Sequence, residues 1–198
     1  MKVLGCTGGI GSGKSYVSRI FGKLGYPVYF SDDRAKMLYD TDPLLLQQMA
    51  QLLGSDILTD GKLNRRAVAE KIFSDSKMLA EVEKMVHPAV IRDFEKWKRE
   101  QCNGGSAPDF VIFESAILLE KPLVRTIAHK VLVVAAPEQL RIARVMARDG
   151  VTSEEVQRRM ASQWSDSQRI ALADFIIFAD SKRALIPQIE AVIKGMGE

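Results

Sequence analysis

Apolar residues along this chain fall into two patterns, short unbroken runs and longer stretches with helical spacing. Unbroken runs at Lys2 to Thr7, Pro27 to Phe30, Phe110 to Phe113, Lys130 to Ala135 and Phe175 to Phe178 predict strands. They do not alternate apolar with polar, so they read as parallel strands covered on both faces by helices. Between the second and third runs, from about Asp33 to Cys102, the spacing is mostly helical, with segments at Leu44 to Leu53, Asn64 to Phe73 and Pro88 to Lys98. Lys14 to Leu24, Arg141 to Met146 and Ser153 to Ser162 read as further helices, the first closed by Gly25. Phe94 and Trp97 share one side of their helix and read as core. Asn103 to Pro108 reads as a linker returning the chain to the sheet. Strands alternating with helices predict an α/β fold.

Composition narrows the class. With 198 residues, 46% hydrophobic and 27% charged, the chain has the balance of a globular domain with one inserted lobe. The formal charge of +3 is too mild for a nucleic-acid binder and suits a small anionic substrate. The longest apolar run, Val131 to Ala136, falls far short of the roughly 18 residues of a membrane span. Cys6 and Cys102 form neither a disulfide framework nor a metal pattern, which makes the cytoplasm the expected compartment. One feature is unusual: of 14 glycines, seven (Gly5, Gly8, Gly9, Gly11, Gly13, Gly22 and Gly25) lie within the first 25 residues.

Gly8-Gly9-Ile10-Gly11-Ser12-Gly13-Lys14-Ser15 fits the phosphate-binding loop G-x-x-x-x-G-K-[ST], between a predicted strand and a predicted helix. Glycines let successive amides turn inward on phosphate oxygens, and the helix adds its positive end. Lys14 would reach the β- and γ-phosphates of a nucleoside triphosphate and the Ser15 hydroxyl would ligate Mg²⁺. Asp32 and Asp33 follow the second strand, where a carboxylate would take a hydroxyl proton, hold the metal through water, or cap a helix. Ser31 is itself a good cap. Glu114 ends the third strand, where an acid supports the metal or is a solvated strand end, and Glu120 is a weaker candidate for that role. Arg141, Arg144 and Arg148 share one helical face, followed by Arg158, Arg159 and Gln163. Such a pair of helices suits a lid over transferring phosphates, or a solvated face. His87-Pro88 reads as a helix boundary, and Trp164 could stack on a base.

The chain resembles the dephospho-CoA kinase family over nearly its whole length. The resemblance rests on Thr7 to Ser15, Asp32 with Ala35-Lys36, Gly61 to Arg65, Ile72-Phe73, His87-Pro88, Ile117 to Glu120, Arg144 to Asp149, Gln163 and Ala173-Asp174. It implies a P-loop NTPase-type parallel sheet flanked by helices, with a helical substrate-binding insert and an Arg-rich lid. The nucleotide-binding core would take residues 1–32 and 107–198, with the lid at about 141–165 and the insert at 33–106. The implied reaction is ATP-dependent phosphorylation of the ribose 3′-hydroxyl of dephospho-CoA. By the same resemblance Gly8 to Tyr16 bind ATP, Thr7, Asp32, Arg65 and His87 bind the acceptor, and Asp32 is the base. Lys14, Arg144 and Arg148 would serve the transfer, with Ser15 and Glu114 at the metal. The chain departs from the family pattern at Phe30, where an acid often stands, at Ala116 for Pro, at Glu114 for Asp, at Tyr16 for Thr, and at Ala179 where the adenine-contacting Asn falls. A nucleoside monophosphate kinase of the same loop-plus-lid design, and an ATP-controlled switch protein, are the alternative readings.

Overall fold

The computed structural model describes residues 1–73, 75–102 and 108–198. The linker expected at Asn103 to Pro108 therefore lies, except for Pro108, outside the described residues. The described chain divides into two compact units, Met1–Phe30 with Glu100–Glu198, and Ser31–Arg99.

The first unit begins with β1 (Lys2–Thr7), α1 (Lys14–Lys23) and β2 (Val28–Phe30). Gly25 follows the end of α1 at φ 93°, the left-handed turn that glycine supplies without strain. The second unit holds α2 (Ser31–Thr41), α3 (Pro43–Leu53), β3 (Leu58–Thr59), β4 (Lys62–Leu63), α4 (Arg65–Phe73) and α5 (Ser76–Gln101), whose last two residues belong to the first unit. The first unit resumes with β5 (Phe110–Glu114), α6 (Pro122–Arg125), β6 (Lys130–Ala135), α7 (Glu138–Asp149), α8 (Ser153–Ala161), α9 (Asp166–Ile170), β7 (Phe175–Phe178) and α10 (Leu185–Gly197).

Strands of the first unit form one five-stranded sheet in the order β2-β5-β1-β6-β7, and every pairing is parallel. One face packs Leu4, Phe110, Leu132 and Ile177 against Val17 and Phe21 of α1 and Val192 of α10. The opposite face is approached so closely that a Cβ at Gly5 would meet Leu118 Cδ2 at 2.5 Å and Ala128 Cβ at 2.7 Å. Burial on both faces is why these strands lack alternation.

Within the second unit, Asp42 caps α3 by accepting from the amides of Leu44 and Leu45. Arg34 of α2 forms a two-pronged pair with Asp93 of α5, both contacts at 2.7 Å. Three sequence expectations change here. Ser31 is no cap: it is buried as the first residue of α2, which starts directly where β2 ends. His87-Pro88 is no helix boundary, because α5 runs straight through it. Proline removes one backbone donor, while the stripe Val82, Val86, Ala89, Val90 and Phe94 is buried at helical spacing and keeps the helix whole. The small hairpin β3-β4 interrupts a stretch expected to be helical, and turns on Asp60 (φ 52°) and Gly61 (φ 73°).

Candidate active site

The glycine loop leaves the carboxyl end of β1 and enters α1. Thr7, the last residue of β1, is buried and donates its hydroxyl to the Ala116 carbonyl at 3.4 Å. Within the loop, the Ser12 amide closes a turn on the Gly9 carbonyl. Gly13 stands at the helix entry with φ 96°, and no side chain caps the first turn of α1. Those amides remain available to an anion, where the helix end adds a positive potential. A Cβ at Gly11 would lie 2.5 Å from the Arg141 carbonyl oxygen, so α7 approaches as near as an uncovered backbone permits.

Lys14 and Ser15 form the first turn of α1, and both face Glu114 at the end of β5. The Ser15 hydroxyl donates to Glu114 Oε1 at 3.3 Å, and Lys14 Nζ lies 3.5 Å from the same oxygen. Glu114 is 3% exposed, so it is no solvated strand end. Its partner across the sheet register is Cys6 on one side and Phe30 on the other. Glu120 is excluded from this cluster: its Oε1 accepts from Arg169 Nη2 at 2.6 Å and from the Trp164 amide. Trp164 is thereby fixed through its backbone.

The arginine face of α7 divides. Arg141 is buried and donates Nε to the Ile10 carbonyl at 2.9 Å and Nη1 to Asp166 at 3.0 Å. Arg144 reaches the Gly11 and Ser12 carbonyls at 3.4 and 3.3 Å, and the Ala179 carbonyl at 2.8 Å. Arg148 instead grips its neighbour Asp149, which Arg159 shares. That grip raises the Arg148 pKa and, with Arg159, holds the Asp149 carboxyl below its usual range.

Beside Gly13, Tyr16 and Arg144 opens a cavity of about 670 Å³, lined also by Ala179 and residues 181–185. Asp180 shapes that segment by accepting from the amides of Lys182 and Arg183, and Ser181 takes φ 65°. Arg183 lies 4.2 Å over the Phe178 ring. The sequence reading missed this segment apart from Ala179; its signal was the polar turn at the carboxyl end of a strand, where open α/β sheets bind ligands.

The remaining candidates belong to the second unit. Asp32 is exposed in the first turn of α2 and has no hydrogen-bonding or ionic partner among the described residues. Asp33 pairs with Lys36. Arg65, opening α4, donates to the Lys36 carbonyl and to Asp40 at 2.9 and 2.8 Å. His87 is half-buried midway along α5.

A family model described as dephospho-CoA kinase matches residues 2–184. The chain belongs to the dephospho-CoA kinase family. A dephospho-CoA kinase of Porphyromonas gingivalis is 42% identical over 195 residues, covering 98% of this chain and 94% of the relative. One from Bacteroides fragilis is 36% identical over 191 residues, covering 96% and 90%. A crystal structure of a Thermus thermophilus protein superposes with a TM-score of 0.79 at 31% identity, covering 98% of this chain and 95% of that one. A member of the dephospho-CoA kinase family is a phosphotransferase, and the all-parallel sheet with its glycine loop is a P-loop NTPase fold. Among the described residues, no helix is long and apolar enough to cross a membrane.

Proposed function

We propose that this chain transfers the terminal phosphoryl group of ATP to the ribose 3′-hydroxyl of dephospho-CoA, giving coenzyme A and ADP. The observation that carries the reading is the convergence of Lys14, Ser15 and a buried Glu114 beneath the glycine loop, in a chain of this family. The amides from Gly11 to Ser15 hold the phosphates, and Gly8 to Gly13 give the backbone the curvature this needs. Lys14 exchanges Glu114 for phosphate oxygens and spreads the developing charge. The cavity beside Tyr16 and Arg144 receives the nucleoside, its base held by stacking and backbone groups because Ala179 offers no side-chain amide.

The donor set fits Mg²⁺. No group of three or more His, Cys, Asp or Glu side chains among the described residues could cage a metal. Mg²⁺ binds through one or two oxygen ligands together with substrate phosphates and water, which Ser15 and Glu114 supply. Bound there, it would neutralise phosphate charge. Asp32, an unpartnered carboxylate, orients the acceptor hydroxyl and takes its proton as the bond from the γ-phosphorus to ADP breaks. Arg144 and Arg148 stabilise the transferring group, Arg148 after release from Asp149. Arg65 and His87 of the helical insert, with Thr7, hold the CoA precursor, whose phosphates compete with Asp40 for Arg65. Composition and cysteine usage support a cytoplasmic site for the reaction.

The test is ADP release with dephospho-CoA, AMP, CMP and UMP side by side. Turnover with dephospho-CoA and formation of coenzyme A are expected, and failure with dephospho-CoA sinks the reading.

A further inference from the structure

Ile10 stands at the apex of the glycine loop, and both polar groups of its backbone are engaged by side chains from far along the chain. Its N–H donates to Gln163 Oε1 at 2.9 Å, and its carbonyl accepts from Arg141 Nε at 2.9 Å. Neither side chain stands alone. Arg141 is bonded to Asp166 Oδ2 at 3.0 Å, and Asp166 opens α9 under the Ser165 capping box. Arg169 of the same helix is fully buried, bonded to Glu120 at 2.6 Å and to the Trp164 carbonyl. Glu120 in turn accepts from the Trp164 amide at 3.2 Å. The turn carrying Gln163 is thus tied to the core one residue beyond it, and it presents a fixed acceptor to the loop.

A loop with Gly8, Gly9, Gly11 and Gly13 has much conformational freedom, so ordering it carries a large entropic cost. A ligand that must order the loop binds more weakly by that amount, and a loop ordered beforehand spares it. We propose that Gln163 is a positioning residue that, opposite Arg141, clamps the Ile10 peptide and holds the phosphate loop in its binding-competent shape. Gln163 touches no phosphate in this role. It acts through the loop, so its contribution falls on the phosphate chain of the nucleotide and on neither the base nor the acceptor. The inference rests on the reading of the loop as the ATP phosphate site.

The experiment compares the full-length wild type with Gln163→Met, which removes the acceptor at similar volume, and Gln163→Glu, which keeps an oxygen beside the cationic Arg141. Binding of MgATP and of inorganic tripolyphosphate is measured by calorimetry, with KM for both substrates and the melting temperature. Gln163→Met is expected to weaken MgATP and tripolyphosphate by the same factor, about three- to tenfold, the range carried by one hydrogen bond. KM for ATP rises in step, while KM for dephospho-CoA and the melting temperature stay near wild type. Gln163→Glu restores both affinities to within about twofold, because its carboxylate accepts from the same amide. Unchanged affinity in Gln163→Met overturns the proposal while leaving the loop assignment intact. Loss of ATP without loss of tripolyphosphate, or no recovery in Gln163→Glu, also overturns it, since Gln163 would then contact ligand directly. A wild type that binds neither probe removes the loop assignment and the clamp together.

Discussion

Glu114 and Asp32 show how differently one residue type behaves when its surroundings differ. Glu114 is buried between Lys14 and Ser15, whereas Asp32 lies in solvent at a helix entry with no described partner. An acid without a structural task can be replaced at little cost to folding, so Asp32→Asn separates chemistry from binding. The expected result is a fall in kcat of about a hundredfold or more, the scale of general-base catalysis, with KM for both substrates nearly unchanged. Near-normal turnover removes Asp32 from its role. Gly11 is constrained twice, by φ 77° and by the Arg141 backbone 2.5 Å from any added Cβ. Left-handed backbone alone costs alanine about 1–2 kcal/mol, so Gly11→Ala should weaken MgATP at least about tenfold; affinity equal to wild type would mean that α7 moves freely. Cys6 is raised to about 12, first by burial and further by Glu114. Because the folded pKa lies above the unfolded one, its neutral thiol contributes stability that is present below about pH 9 and is lost as pH rises toward 12. The unfolding free energy from urea titrations between pH 9 and 10.5 should fall faster for wild type than for Cys6→Ala, by a margin rising from about 0.7 toward about 1.4 kcal/mol per pH unit, and parallel curves would contradict it.

Among the helices that the hydrophobic pattern left unassigned, α6, α9 and α10, the second has the most unusual anchor. It is only five residues long, too short for a periodicity to register, and its place depends on Arg169. Burial lowers the Arg169 pKa while Glu120 and then Asp166 oppose the shift, so the guanidinium is stable only as part of its network. Arg169→Leu strands Glu120, and a loss of about 3–5 kcal/mol in unfolding free energy is expected; a loss under about 1 kcal/mol would show that water replaces the arginine. The β3-β4 hairpin was legible in principle, since Asp60-Gly61 is a strong two-residue turn signal, but strands of two residues show no alternation. Pro88 misled for the opposite reason. Its local effect is strong, yet the buried stripe on either side outweighs it.

For the whole molecule, a ligand that binds only the folded chain stabilises it by mass action. MgATP at about a hundred times its Kd should add about 2.7 kcal/mol, read as a raised melting temperature, and Lys14→Met should lose most of that shift. An equal shift in Lys14→Met would place the phosphates elsewhere. The parallel sheet and the glycine loop were determined by the sequence itself, because unbroken apolar runs and a glycine-Lys-Ser spacing are local signals that follow from backbone geometry. Glu114 beneath Lys14, Arg141 and Gln163 on the two sides of Ile10, and the cavity beyond Gly13 were decided only by tertiary structure. The hydrogen bonds among them join residues 99 to 153 positions apart and the cavity brings Gly13 to Ala179 and Leu185, through β-strand order and helix docking, and no pattern within a local window specifies which strand ends meet. The glycines bridge the two levels: the motif accounts for Gly11 through phosphate, while the fold adds Arg141 against it and gives Gly5 its reason in Leu118 and Ala128.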